Sequence, residues 1–337
     1  MPADRKTLVT ELVTGLGMLG LPDIDDALRT RPAAMVSLSP TLWDTLDALW
    51  RGGAYGPEFQ AAWANGAAFF HARDGLRQRP PVTVEWKGSH RAPGDEVAPI
   101  DLRVDHVYLV SCKYLSRILI NASPAHLFDR LLKGGHGRRS GNWFHEVAPA
   151  EHQALYDAVR ETDPRLPPDV TALSADERRA LAESLTTWPS TDAADRYAEL
   201  VHAVSTNSAA KWHANLPTLA EREAMLWRLL RIGATPYFVL GAGRGPGRSG
   251  LLRLRIATAW DWRQRFELRA FDISPGVGGQ PLVHWHAVVR DKATAATHDI
   301  AGHIEIRWGH RRFGGPPEAK AYLDTAHAQV PGYFPLT

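Results

Sequence analysis

Apolar and polar positions along the first part of the chain alternate mainly at helical spacing. Residues 3–51 read as helical, and the last of these turns opens with Ser39-Pro40, a serine N-cap followed by proline at the first helical position. Gly52-Gly53 closes it, and a second helix starts at Pro57-Glu58, where Phe59, Ala62, Trp63, Ala67 and Phe70 recur on one face. Arg79-Pro80-Pro81 breaks that pattern. The period then drops to two. Val82–Lys87 reads as a strand, and residues 100–104 and 106–113 read as two more, joined tightly at Val104-Asp105-His106. Residues 116–120 either continue as strand or turn, and Ser123-Pro124 caps a helix from Ala125 to Leu132.

Beyond a basic, glycine-rich loop at Lys133–Gly141, residues 148–232 are helical in pattern, with breaks near Pro164–Pro168, Pro189 and Pro217. After Pro236 the chain becomes strand-rich, with candidates at 236–240, 251–259, 264–273, 281–290 and 300–308, and a short helix from Pro317 to Ala326. The expected fold class is α+β or α/β. The expected division is a helical segment at 1–54, an α/β core at 55–145, a helical region at 146–215 and a β-rich domain at 216–337.

Composition changes this picture little. The chain has 337 residues, 44% apolar, and a net charge of +2, so nucleic-acid affinity would have to come from local patches rather than from bulk charge. A single cysteine, Cys112, excludes an internal disulfide and a cysteine-based zinc finger, and reads as a buried strand residue. No apolar run reaches the length of about 18 residues that a membrane helix needs. The N-terminus carries acids and makes a poor signal peptide, so a cytoplasmic location is expected.

The candidate chemistry lies in the central hairpin. Asp101 stands on its first strand and Lys113 ends its second. Alternation puts Val107, Leu109, Ser111 and Lys113 on one side of the strand, so Ser111 and Lys113 point the same way. A carboxylate and a lysine on one face suit metal-assisted phosphodiester hydrolysis. A lysine that only extends its amine out of a buried strand end is the plain alternative.

Helix, three-strand meander and helix, with an acid on the second strand and a lysine on the third, resemble the PD-(D/E)xK nuclease superfamily, over roughly residues 55–135. The resemblance implies a restriction-endonuclease-like core, with helical decoration and the β-rich C-terminal domain added. It implies Mg²⁺- or Mn²⁺-dependent cleavage of DNA in restriction, anti-phage defence or repair. Asp101 would be the motif aspartate, with Pro99 near it, Lys113 the motif lysine, and Glu58 the helix glutamate that joins the metal. Ser111 stands where the motif carries Asp or Glu. That departure opens a second reading, a non-cutting module that binds DNA or a partner, and an RNA-cleaving effector is a third. Glu85 is a candidate for the missing metal ligand, as is Asp105, although Asp is favoured at a turn for its backbone hydrogen bonds alone. Glu58 equally suits a helix first turn without any metal. A homodimer and a partner subunit of a defence system are arrangements left open.

Basic residues elsewhere suggest a nucleic-acid reader. Arg138 and Arg139 lie in the first glycine-rich loop, and Arg244 and Arg248 in a second, Gly241–Gly250, which lacks the lysine and following helix of a P-loop. Arg253 and Arg255 share a strand face, as do Arg263, Arg265 and Arg269, with Trp260 and Trp262 between the two sets. That interleaving suits backbone contact with base stacking. Arg311 and Arg312 extend the basic patch. His284 and His286 form an H-x-H pair without an identifiable third ligand, so an aromatic and polar strand face is the expected reading.

Overall fold

The computed structural model describes residues 5–88, 100–114, 118–130, 141–245, 248–276, 278–309 and 311–337. In chain order the helices and strands are α1 (Arg5–Gly17), α2 (Ile24–Thr30), β1 (Met35–Val36), α3 (Pro40–Arg51), α4 (Gly56–His71), β2 (Val84–Trp86), β3 (Leu102–Val104), β4 (Tyr108–Tyr114) and β5 (Ile118–Ala122). They continue with α5 (Trp143–Val147), α6 (Pro149–Arg160), α7 (Ala175–Ser184), α8 (Thr191–Ala214), α9 (Leu219–Leu229), β6 (Tyr237–Gly245), β7 (Arg248–Ile256) and α10 (Ala259–Arg265). The chain ends with β8 (Phe266–Gly276), β9 (Leu282–Asp291), β10 (Thr297–Trp308), β11 (Pro317–Leu323) and β12 (Tyr333–Pro335). The fold is mixed α and β with two sheets.

Two compact units share this chain by interleaving. The first holds Met1–Arg117, Arg231–Arg265 and His327–Thr337; the second holds Ile118–Leu230 and Phe266–Ala326. This differs from the linear division expected at 54, 145 and 215, because strands far apart in sequence are neighbours in one sheet.

The first unit is built on a seven-stranded sheet in the order β1-β2-β3-β4-β6-β7-β12. β2, β3 and β4 form the expected antiparallel meander, and β6 returns parallel to β4. The meander's tight turn has positive φ at both central residues, Asp105 and His106, as a type I′ hairpin requires. One face of the sheet presents Val84, Leu102, Val104, Val110, Cys112, Phe238 and Leu240 to a core completed by α1 and α4. That burial is the main favourable term holding helices to sheet. α1 is buried continuously from Leu8 to Gly17. It crosses α4 where small residues let the backbones meet: a Cβ built on Gly66 would overlap the Thr14 carbonyl oxygen.

The N-terminal segment departs from a continuous helical pattern. The residues between α2 and α3 include β1, which pairs in parallel with β2. The Ser39 cap forms as expected, its hydroxyl accepting from Leu42 N at 3.2 Å. A further correction concerns Arg263 and Arg265, which were expected on a strand and lie on α10 together with Trp260 and Trp262. Thr258 and Asp261 cap that helix reciprocally, Thr258 Oγ1 accepting from Asp261 N at 3.0 Å while Asp261 Oδ2 accepts from Thr258 N at 3.3 Å. Trp262 is buried with its indole N–H on Pro331 O at 3.1 Å, whereas Trp260 is exposed.

The second unit carries a five-stranded antiparallel sheet, β5-β11-β10-β9-β8. Its inner face, with Phe271, Trp285, Val289, Ile300 and Ile304, is buried and α8 and α9 pack on the sheet. The helix expected over Pro317–Ala326 is strand β11, inserted between β5 and β10. Its alanines read as helix formers, but Pro317, Ala319, Ala321 and Leu323 are buried in strict alternation, so tertiary pairing overrides propensity. The helix expected from Ala125 is a π-helical turn, His126–Arg130, and belongs to this second unit, not to the meander's unit.

Candidate functional site

Asp101 immediately precedes β3, and the β3–β4 register continues through it to Ser111. Asp101 N donates to Val110 O at 2.9 Å, which fixes its backbone against β4. Its carboxylate Oδ2 accepts from Cys112 N at 2.6 Å and from the Ser111 hydroxyl at 3.3 Å. The carboxylate therefore caps a strand amide, and Ser111, fully buried, holds it from the side. Lys113 lies one pleat beyond Ser111, roughly 7 Å along the strand, on the same face. Its carbonyl is pressed against Gly241 of β6, where any Cβ would collide. The structure thus brings Asp101 and Ser111 into direct contact and aligns Lys113 with them.

Glu58 is buried in the first turn of α4 and forms an ion pair with Lys6 of α1 at 3.1 Å. Those helices cover the face that carries Cys112, opposite the face of Ser111 and Lys113. Glu85 does share the Ser111 face, but its carboxylate is engaged by cations. Oε2 accepts from Arg103 Nε at 2.7 Å and lies 2.5 Å from Nη2, and Lys87 Nζ lies 3.5 Å from Oε1. Burial alone would raise the Glu85 pKa; the hydrogen bond and charge of Arg103, with a smaller part from Lys87, outweigh it and lower the pKa below the usual value. Asp105 serves the turn: Oδ1 accepts from Val82 N at 2.7 Å and Thr83 N at 3.1 Å, and Arg79 pairs with Oδ2 at 3.1 Å.

An acid that the sequence pattern did not single out comes close to this site. Glu11 of α1 is buried and accepts the Trp86 indole N–H at 2.6 Å. Burial pushes the Cys112 thiol well above its ordinary pKa, and the negative charges of Asp101 and Glu11 push it further. The signal was available: Glu11 is the one acid in the apolar run Leu8–Leu19.

Oxygen donors suit Mg²⁺, which is commonly held by one or two carboxylates and keeps several waters. Asp101, with the Ser111 hydroxyl beside it, offers that kind of donor set. Among the described residues no three His, Cys, Asp or Glu side chains gather as a metal-binding group. An ion held here would rest on Asp101 with the Ser111 hydroxyl beside it.

The arginines expected to read nucleic acid are scattered. Arg138 and Arg139 lie outside the described residues, as do Pro99 and His310. Arg244 and Arg248 are backbone positions at the paired ends of β6 and β7. Arg253 is tied to α4 through Asn65 Oδ1 and Ala64 O, both at 3.0 Å, and burial lowers its pKa. Arg255 pairs with Asp74 at 3.6 Å and covers the Phe334 ring. In the second unit Arg312 donates to Leu185 O at 3.2 Å and stacks on Trp188, while Arg311 is exposed. Arg269 pairs with Glu267 at 3.2 Å. His284 and His286 are not joined as a metal pair: His286 bonds Asp299 at 3.0 Å, and His284 faces His303, which Asp324 holds at 2.9 Å. Among the described residues no helix is long and apolar enough to cross a membrane. No family model, no curated protein and no solved structure matches the chain.

Proposed function

We propose that the first unit is a nuclease-type domain that hydrolyses phosphodiester bonds of DNA with the help of Mg²⁺ or Mn²⁺. The observation that carries this reading is the Asp101–Ser111 contact, which seats a carboxylate on the strand that also presents Lys113. In this reading Asp101 holds the ion with the Ser111 hydroxyl alongside, and Glu11 supports the negative potential from the other side of β4. A bound divalent ion supplies a polarised phosphate and a more acidic water. Lys113 offsets charge that develops on the phosphoryl oxygens and orients the nucleophile. The serine in place of the motif acid favours one competing reading, a module that binds DNA without cutting it.

The test is nuclease activity of the wild type, Asp101→Ala and Lys113→Ala on single- and double-stranded DNA and RNA, with Mg²⁺, Mn²⁺ or EDTA. Metal-dependent cleavage of DNA lost in both variants supports the reading. Salt-sensitive binding by a folded wild type that never cleaves supports the module. Preferential cleavage of RNA moves the substrate to RNA.

A further inference from the structure

The face of the sheet that carries Asp101 also carries a cation pair held by one carboxylate. Two registered rows cross β2, β3 and β4. Glu85 stands opposite Arg103, which stands opposite Leu109. One pleat on, Lys87 N donates to Asp101 O at 3.0 Å, so Lys87 and Asp101 flank one another and Asp101 flanks Ser111. Arg103 and Lys87 both turn to Glu85, as their distances to its two oxygens show. The side chains are part-exposed, at 37% for Arg103, 21% for Lys87 and 22% for Glu85, so they are ordered without being sealed. An ion pair of this exposure contributes little to stability, which leaves positioning as what the arrangement does best. Glu85 occupies Nε and Nη2 of Arg103. A guanidinium has five donors in a rigid fork, so Nη1 still offers N–H groups for an anion. Among the described residues of these rows, Lys87 and Arg103 share the one carboxylate of Glu85.

We infer that Lys87 and Arg103, oriented by Glu85, form a clamp for the phosphate backbone of a DNA strand entering the Asp101 site. The clamp rests on the nuclease reading of that site and assigns Glu85 to the cations, not to the metal. Phosphate contacts of this kind fix register and carry no base specificity, so the clamp is expected to be indifferent to sequence.

The test uses the whole chain and a short fluorescein-labelled DNA duplex, with Ca²⁺ in place of Mg²⁺, and follows anisotropy across a salt titration. Arg103→Gln and Lys87→Gln are expected to weaken binding about threefold to tenfold at low salt, each reducing the slope of log affinity against log salt by about one. Arg103→Lys keeps the charge and is expected to keep the slope, which separates the clamp from a packing effect. Glu85→Gln keeps an acceptor for Arg103 but loses the charge that holds both cations, so it is expected to weaken binding less than either cation variant, with any fall in cleavage no larger than the fall in binding. Unchanged affinity and slope in both cation variants, beside a wild type that binds and cleaves, overturns the clamp alone. Loss of cleavage without loss of binding in Glu85→Gln also overturns it, by giving Glu85 to the metal. A wild type that neither binds nor cleaves nucleic acid overturns the clamp and the nuclease reading together.

Discussion

The Ser111 hydroxyl donates to Asp101 Oδ2 at 3.3 Å, and the amide of the next residue donates to the same oxygen at 2.6 Å. One carboxylate oxygen thus joins the end of β3 to β4, and the residue standing where an acid was expected serves as a partner of Asp101.

Replacing Ser111 by glutamate would set two carboxylates against each other at a fully buried position. Ser111→Glu is expected to lower the melting temperature in EDTA, by an amount equivalent to about 1–3 kcal/mol, through like-charge repulsion and burial. Millimolar Mg²⁺ is expected to restore much of that loss by binding the native state. Thermal melts with and without Mg²⁺ check it. Equal destabilisation in both would mean that no divalent ion binds between these residues.

Glu11 and Trp86 give a second prediction. Glu11→Leu leaves the Trp86 indole N–H without its 2.6 Å acceptor, and should cost about 1–3 kcal/mol in urea denaturation. Glu11→Gln keeps an acceptor and should cost less. If metal-dependent activity falls in Glu11→Gln while stability holds, the acid contributes charge to the site as well as support to Trp86.

Much of the architecture was legible in the sequence. The Ser39-Pro40 cap, the helix α4 and the tight meander around Asp105 follow from local rules of capping, period and turn chemistry, although the buried stripe of α4 runs through Phe59, Ala62, Gly66 and Phe69 and leaves Trp63, Ala67 and Phe70 half-buried. What was hidden depends on partners remote in sequence. Pro317–Leu323 became a strand because β5 and β10 lie on either side of it. Arg263 and Arg265 left the strand because a Thr258–Asp261 cap starts a short helix. At the site, alternation correctly aligned Ser111 with Lys113, yet period alone could not show that Glu58 would meet Lys6 or that Glu85 would meet Arg103. Those are contacts between elements.

His152 predicts an acid limit for the second unit. It is 1% exposed among Phe144, Trp308 and Phe313, with His145 beside it. Burial first, then the charges of His145 and Arg178, pull its pKa from 6.5 to about 4. The unfolded chain therefore binds this proton more readily than the folded one. The stabilisation is complete above the unfolded pKa of 6.5 and is lost as pH falls toward 4, a total of up to about 3 kcal/mol. His152→Phe should flatten stability against pH in that window, read by urea titrations at stepped pH.

Gly66 sets the approach of α1 to α4, so Gly66→Ala should force the helices apart and destabilise the first unit by about 1–3 kcal/mol. Gly53→Ala is the matched control, at a positive φ but with open space around it. Its cost should come from backbone strain alone. Equal losses of stability in urea denaturation by both variants would contradict a packing origin.

The most direct test of the central claim is cleavage of duplex DNA by wild type and Asp101→Asn, with Mg²⁺ and with EDTA, on proteins shown by circular dichroism to be folded. The account predicts Mg²⁺-dependent cleavage by the wild type that EDTA abolishes, and a loss of about a hundredfold or more in Asp101→Asn. Cleavage that persists in Asp101→Asn, or that is indifferent to EDTA, would contradict it.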